Sequence, residues 1–557
     1  MHVDVIEDFG ALKSVRDDWD AAYAADPEAS FFMSWGWIAD WLAVRQTVWL
    51  VLAAKPTQAD DRYVAFLPLR MRVHFDKARG FFNVVYLAGS GFSDHAGVLT
   101  HPDFEAAAVS AFTDFLRKKL SWTKLIMSNL WMSDRRRRLF LAAFDPLRFV
   151  HEEIEYLDKI TNTDVSVCPF VALPSDWDAY LTKLSANNRQ KIRRWLRKVE
   201  AGEEYDITAS NDETFARDID ILLGFWKTKW AHRKGARTDD IAQYNRAMLM
   251  RCAQNGTLFL PVFRHRGRPV AALAILVDAA KKTMLFFIAG RDETYDEAPA
   301  GYLLHAYSIR HAIAQGYATY DFLRGDEPYK YLFGPQERRL KACSVTTRNG
   351  RNLGGVPDPR GLEAMRDKAF EFDKKDEIAV AERAYRQILA MQPDDGLTLY
   401  RLGRLLATQG DHTEAARLFS RSVAVEPAGE NAWLKLAHSL HALGDEVAAR
   451  NACREVLRLQ PKNEEAERLI LQLALSAPRA LTIAKPLSAQ GEQIPVPPVW
   501  GVPQSEIVRA TARSGRPRPT SNAVSVTVER SNDGIVAQFE QSLRQRTNIA
   551  PVNRTVA

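Results

Sequence analysis

Cysteine is scarce and scattered, with four residues in 557: Cys168, Cys252, Cys343 and Cys453. None lies near another, which excludes a disulfide framework and a CxxC metal site, and fits a reduced, cytoplasmic protein with no metal. Long apolar runs are missing too. The longest, PVAALAILV (Pro269–Val277), is far short of the roughly 20 residues of a membrane helix, so no membrane insertion is expected. The opening MHVDVIEDFG is acidic and has no apolar stretch, so it is not read as a signal peptide. No GxSxG elbow, HExxH helix or Walker loop occurs, which disfavours a serine hydrolase, a zincin or a P-loop NTPase. A broad basic face is lacking as well. The net charge is +6, but residues 476–557 carry ten Lys and Arg against five Asp and Glu, so the rest of the chain is close to neutral. No nucleic-acid partner is expected from such a distribution.

What is present begins with a repeat. Pro393, Pro427 and Pro461 are 34 residues apart, and Gly410 and Gly444 keep that period. So do Ala369, Gly403 and Ala437, and Ala381, Ala415 and Ala449. Small residues let antiparallel helices approach, and Phe372, Leu406 and Leu440, with Tyr385, Phe419 and Cys453, fill the groove between them. This pattern resembles the tetratricopeptide (TPR) repeat, with about three repeats and a capping helix over 360–476. Such arrays form a solenoid whose concave face takes a protein or peptide partner. Beyond it, 477–557 is proline-rich and reads as disordered, with one helically spaced segment at Gly534–Arg546.

The first 350 residues read as two related α/β halves, 1–160 and 161–355. In the second, TLFLPVFRH, PVAALAILV and TMLFFIAG are three strands, GYLLHAYSIRHAIAQG is a helix and ATYDFL a further strand. In the first, TVWLVLAAK, RYVAFLPLRMRV and FNVVYLAG precede the helix DFEAAAVSAFTDFLRKKL and the strand KLIMSNL. Only the second half ends its last strand in a crowd of ionisable groups: Asp321, Arg324, Asp326, Glu327, Tyr329 and Lys330. In the first half, GSGFSDHAGV holds Asp94 and His95, read as a turn with a surface histidine in preference to a proton-handling pair facing a cleft.

From 178 to about 335 the chain resembles the GNAT-fold acetyltransferase domain of the CelD-type (cellulose-biosynthesis) proteins. These are relatives of the FemAB aminoacyl-transferases, which also carry two tandem GNAT halves. The matching stretches are LSANNRQKIRRWLRKVE, FWKTKWAHRKG, GRPVAALAI and FFIAGRDETYDEAPAGYLLHAYSIRHAIAQGYATYDFLRGDEPYKYLFG. FFMSWGWIADWL and FLPLRMRV look like the family's N-terminal half. The expected architecture is therefore an α/β (α+β) pair of tandem GNAT-like halves, the first degenerate, followed by an all-α TPR solenoid and a disordered tail.

The resemblance implies acetyl-CoA or another acyl-CoA as cosubstrate, and direct transfer to an amine or hydroxyl of a small-molecule or glycan acceptor. It would place the diphosphate at the start of the helix EAPAGYLL, at Ala300, Gly301 and Tyr302 with Arg324. The full Q/R-x-x-G-x-G/A pattern of typical GNAT enzymes is missing there. Acyl transfer further needs a base, an acid for the leaving thiolate and a cation for the oxyanion. Asp326 or Glu327, then Tyr329, then Lys330 or Arg324 are the candidates, with Asp321 behind them. Arg189 and Arg193 on a basic helix, and Trp230 among cations, are candidates for binding substrate. Two other functions fit the same sequence: an aminoacyl-tRNA-dependent transferase, and a non-catalytic TPR scaffold.

Overall fold

The central strands of both sheets are apolar on both faces, and each sheet is covered by helices accordingly. In the computed structural model the described residues are 1–44, 48–90, 92–158 and 163–475; the expected tail, including Gly534–Arg546, lies outside them. The first sheet runs His2–Ile6, Val48–Lys55, Ala65–Asp76, Gly80–Leu87, Lys124–Leu130, Lys341–Thr347 and Phe149–Glu153. The second runs Tyr205–Ala209, Pro261–His265, Arg268–Asp278, Thr283–Arg291, Thr319–Asp321, Val167–Ala172 and Gln336–Arg339. Chain order and sheet order part company at the end: Lys341–Thr347 leaves the second half and inserts between two strands of the first sheet.

Each sheet contains one parallel pair joined through a helix. Gly80–Leu87 meets Lys124–Leu130 through Glu105–Lys118, and Thr283–Arg291 meets Thr319–Asp321 through Ala300–Ala314. The second pair is short, from Thr283 with Thr319 to Leu285 with Asp321. Helix Phe215–Lys234 packs closely on the second sheet because Gly290 has no side chain; a Cβ there would sit 2.4 Å from the Leu222 carbonyl oxygen.

A bulge between Ala274 and Ile275 leaves Phe287 without a cross-strand partner. Its ring meets Phe32 and Trp37 of the first half at 6.1 and 5.8 Å between centroids. The two halves thus share one apolar core, in which Trp19, Phe32 and Leu42 join Ile219, Leu249 and Leu276. Each large side chain buried there contributes on the order of 2 kcal/mol. Polar ties cross the same seam. The Tyr23 hydroxyl donates to Asp278 at 2.5 Å, and Lys281 Nζ donates to the carbonyls of Ala24 and Asp26.

Seven helices follow, from Leu362–Lys374 to Glu464–Leu475, as three antiparallel pairs and a last single helix. The small residues of the 34-residue pattern sit at the close approaches, where Ala369, Ala381, Ala415, Ala437 and Ala449 are all fully buried. A Cβ on Gly403 would reach the Phe419 ring at 2.9 Å. The array is anchored on the first sheet. Gln387 accepts from the Phe81 amide at 2.6 Å and donates to its carbonyl at 2.9 Å, and the Phe372 ring meets Phe75.

Candidate active site

The parallel strands Thr283–Arg291 and Thr319–Asp321 part after Leu285 and Asp321, and the charged stretch starts at that fork. Asp321 is buried and its Oδ1 accepts from the Leu323 amide at 2.7 Å. Burial pushes its carboxyl up to about 6, opposed by Arg338 and Lys330 and reinforced by Asp94. The chain then turns through Leu323 at φ 54° and Gly325 at φ 104°. Leu323 is in the left-handed region with a branched side chain, a conformation that costs about 1–2 kcal/mol and must be held by its surroundings. Lys330 supplies that hold. Its Nζ is buried and donates to the carbonyls of Arg324 at 2.8 Å and Gly325 at 3.0 Å, with Leu323 at 3.5 Å and the Glu327 carboxylate at 2.9 Å. Its donors are taken up by the turn, so its place is that of a positioning residue. Gly325 is favoured because φ 104° lies where side-chain-bearing residues are strained, and Glu327 folds over it, its Oε2 2.6 Å from where a Cβ would sit.

The other members of the stretch diverge. Arg324 Nε donates to the Val165 carbonyl at 2.9 Å, its guanidinium lies over the Tyr156 ring, and it approaches Asp94 at 4.0 Å. Asp326 accepts from the Asp164 amide. Glu327 keeps 42% of its side chain exposed, and Tyr329 is also exposed, its ring 5.7 Å from His305. His305, which the sequence did not single out, is buried with Nδ1 against the Tyr320 hydroxyl at 2.9 Å. Burial, helped by Lys330, pushes it down to about 3, so it is neutral at physiological pH.

The helix Ala300–Ala314 starts without a side-chain cap; Pro299 occupies the capping position. First-turn amides have no carbonyl within their own helix, and here no side chain replaces it. Ala300 is buried and its amide turns back to Ala298, whereas a Cβ on Gly301 would meet open space. Tyr302 stands beside them, its hydroxyl toward the Asn188 carbonyl at 3.4 Å and its ring under Lys191 Nζ at 4.9 Å. The Asn188 side chain donates to the Leu332 carbonyl at 3.0 Å. Ser185 caps this second helix, Ala186–Ala201, and so aims its first turns at the first. Lys191 was missed in the sequence, although it sits one turn beyond Asn188 on the same face.

Three other candidates fall elsewhere. Arg193 pairs with Asp178 on an exposed surface. Arg189 is half-buried on the helix with its amide on Ser185. Trp230 is surrounded by Lys229, Arg233 and Lys234 of its own helix. His95 is a correction. It is not a surface histidine but 1% exposed, stacked on Trp131 at 3.9 Å, in the seam between the halves. Burial and the neighbouring Arg324 and Arg338 push it down to about 3. Segment 92–98 carries it inward because Ala96 bridges to Leu130, a contact between chain segments that local sequence does not reveal.

Comparison with known proteins identifies two domain types in the chain. Residues 186–331 match the family model of the acetyltransferase (GNAT) domain, and 369–428 and 400–464 match that of the tetratricopeptide repeat. The chain carries a GNAT-type acetyltransferase domain fused to TPR repeats: an acyltransferase-type domain with a protein-interaction module. A similar protein is cellulose synthase 1 operon protein C of Komagataeibacter xylinus, 29% identical over 97 residues, which are 17% of this chain and only 7% of that one. Among solved structures, FemX is 12% identical with a TM-score of 0.42, covering 61% of this chain and 96% of FemX. The Sgt2 TPR domain from Aspergillus fumigatus is 18% identical with a TM-score of 0.21, covering 25% of this chain and 91% of that domain. Among the described residues no helix is long and apolar enough to cross a membrane, and no His, Cys, Asp and Glu group could hold a metal ion.

Proposed function

We propose that this protein is an acyl-CoA-dependent acyltransferase whose donor lies along the fork of the second sheet. The observation that carries this reading is the parting of the parallel strands at Leu285 and Asp321, beside an uncapped helix start. The diphosphate is assigned to the amides of Gly301 and Tyr302, where the helix dipole and Lys191 both favour an anion. The thioester then reaches the fork, where Glu327 is the base for the acceptor and Tyr329 the acid for the leaving thiolate. Lys330 holds the turn that presents them. The acceptor is an amine or hydroxyl of a small molecule or glycan, in cytoplasmic polysaccharide or envelope biosynthesis, and the repeats recruit a protein or peptide partner.

The test is calorimetric titration of the full chain with acetyl-CoA, then with longer acyl-CoAs. A Cβ at Gly301 meets no protein atom within 4 Å, so Gly301→Trp is chosen to block the helix start, and its melting temperature is measured alongside to check that the fold survives. Saturable binding that Gly301→Trp abolishes and Glu327→Gln preserves is the expected result, with Glu327→Gln losing turnover once an acceptor is found. No acyl-CoA binding by the folded protein sinks the proposal.

A further inference from the structure

The seam between the halves encloses a cleft with two compartments. The outer one, about 530 Å³, is walled by Tyr23, Trp35, Trp37 and Trp41 from the first half and by Tyr244 and Arg251 from the second. The inner one, about 200 Å³, is lined by Ser30, His95 and Trp131 from the first half and by Thr283, Asp321 and Arg338 from the second. Phe31 and Asp278 border both. Ligand sites favour such domain seams, with aromatic walls and a few polar groups converging.

We infer that this cleft is the acceptor site, and that it takes a neutral, hydroxyl-bearing ring such as a sugar, its reacting hydroxyl in the inner compartment against His95 and Asp321. Hydrogen-bonding capacity left unused inside the cleft supports this. His95 is 1% exposed and neither ring nitrogen has a partner, and the buried Ser30 Oγ has none either. Buried polar groups in native proteins are satisfied, so orphans lining a cavity mark what is meant to enter it.

Most of the charged hydrogen-bonding capacity, in contrast, is already engaged. Asp278 accepts from the Tyr23 hydroxyl and the Lys281 amide, and Lys281 Nζ donates to two carbonyls. Arg338 stacks over the Trp131 and Phe170 rings, and one Asp321 oxygen takes the Leu323 amide. What remains is an imidazole with one donor and one acceptor, a hydroxyl, one carboxylate oxygen and the N–H donors of Arg338. A ligand hydroxyl both donates and accepts, and so meets all four. An ammonium cannot accept from Ser30 or His95 and would face Arg338; a phosphate or carboxylate would face Asp321 and Asp278.

The chemistry of this inference rests on the acyl-transfer reading. The acceptor oxygen bonds to the thioester carbonyl carbon as the carbon–sulfur bond breaks. Its proton passes to Glu327, the base of that reading, while Asp321 and His95 hold the hydroxyl, and the thiolate takes a proton up to leave as the free thiol. Binding in the cleft does not depend on the donor, and it is measured without one.

Saturation-transfer NMR on the full chain compares glucose with glucosamine at mildly acidic pH, where the amine is charged. The expected result is saturable glucose binding and several-fold weaker glucosamine binding. Ser30→Ala and His95→Phe should each weaken glucose about tenfold, the loss of one good polar contact. His95→Phe should leave the melting temperature unchanged or raised, since it removes orphaned buried nitrogens. No glucose binding, glucosamine binding as tight as glucose, or unchanged affinity in both variants overturns the inference. Acetyl-CoA titrations of the same proteins separate the two readings. If glucose behaves as expected and acetyl-CoA never binds, the donor assignment falls and the cleft stands.

Discussion

The two α/β halves are built to one plan and diverge at one place. Each has a parallel strand pair, and each places a left-handed residue just beyond the last parallel-paired residue of the second strand: Asn129 at φ 56°, past Ile126, and Leu323 at φ 54°, past Asp321. In the first half the gap is filled by the chain itself. Ala96 bridges to Leu130, and the Asn129 side chain donates to the Ser93 carbonyl. Asparagine tolerates that conformation with little strain. In the second half no such bridge is recorded among the described residues, and the left-handed position is a buried leucine pinned by Lys330. One half has closed its fork with its own backbone, and the other holds its fork open under strain. That contrast is what a scaffold and a reaction centre descended from one plan would show.

The sharpest way to break the comparison is to remove the pin. Lys330→Met leaves the carbonyls of Arg324 and Gly325 without their donor and should destabilise the protein by about 2–4 kcal/mol, with proteolysis starting near 323–330. A change confined to activity, with stability intact, would mean that the turn holds itself. Asp321→Asn should act in the opposite direction. The carboxyl binds its proton more tightly in the folded state, at about 6 against an ordinary 3.8. Its favourable contribution is therefore full below the unfolded value and is lost as pH rises through about 6. Asparagine still accepts from the Leu323 amide, so urea denaturation near pH 8 should find the variant more stable by on the order of 2 kcal/mol, and near pH 4 no better than wild type. Lower stability at both pH values would remove Asp321 as a group retained for function.

Two smaller tests reach the junction with the repeats. Gln387→Ala removes both bonds to the Phe81 backbone and should cost about 1–2 kcal/mol, with faster hydrogen exchange at the Phe81 amide. Unchanged exchange there would show that the ring contacts alone seat the array. Asp376 occupies the position that Gly410 and Gly444 hold in the later repeats, at φ 55°. Asp376→Gly should stabilise the first repeat by about 0.5–1 kcal/mol, read as a rise in melting temperature.

The repeats were legible in sequence because their packing is local: helix, turn and partner lie within 34 residues, so small and large positions recur visibly. The two strand–helix–strand orders were legible for the same reason. Lys330 could be found in the charged stretch but not its task, since its carbonyl partners are set by a backbone turn that no residue pattern announces. His95, Ser30 and Trp131 come together only because two distant sheets share a core. Trp230 misled because aromatics among cations look alike on a helix surface and in a binding site.

The strand Lys341–Thr347 has a consequence for the timing of synthesis. The first sheet has its edge strand Phe149–Glu153 early, yet the strand that joins it to the rest is made nearly two hundred residues later. At about 5–20 residues per second that gap lasts roughly ten to forty seconds. Until then the nascent first half exposes the open edge of Lys124–Leu130, a ready template for a wrong partner. Arrested chains that stop before residue 341 should stay protease-sensitive, and chains with residue 347 outside the ribosome should become resistant. The N-terminal half comes first in the gene, but it is the last part of the α/β region to be finished.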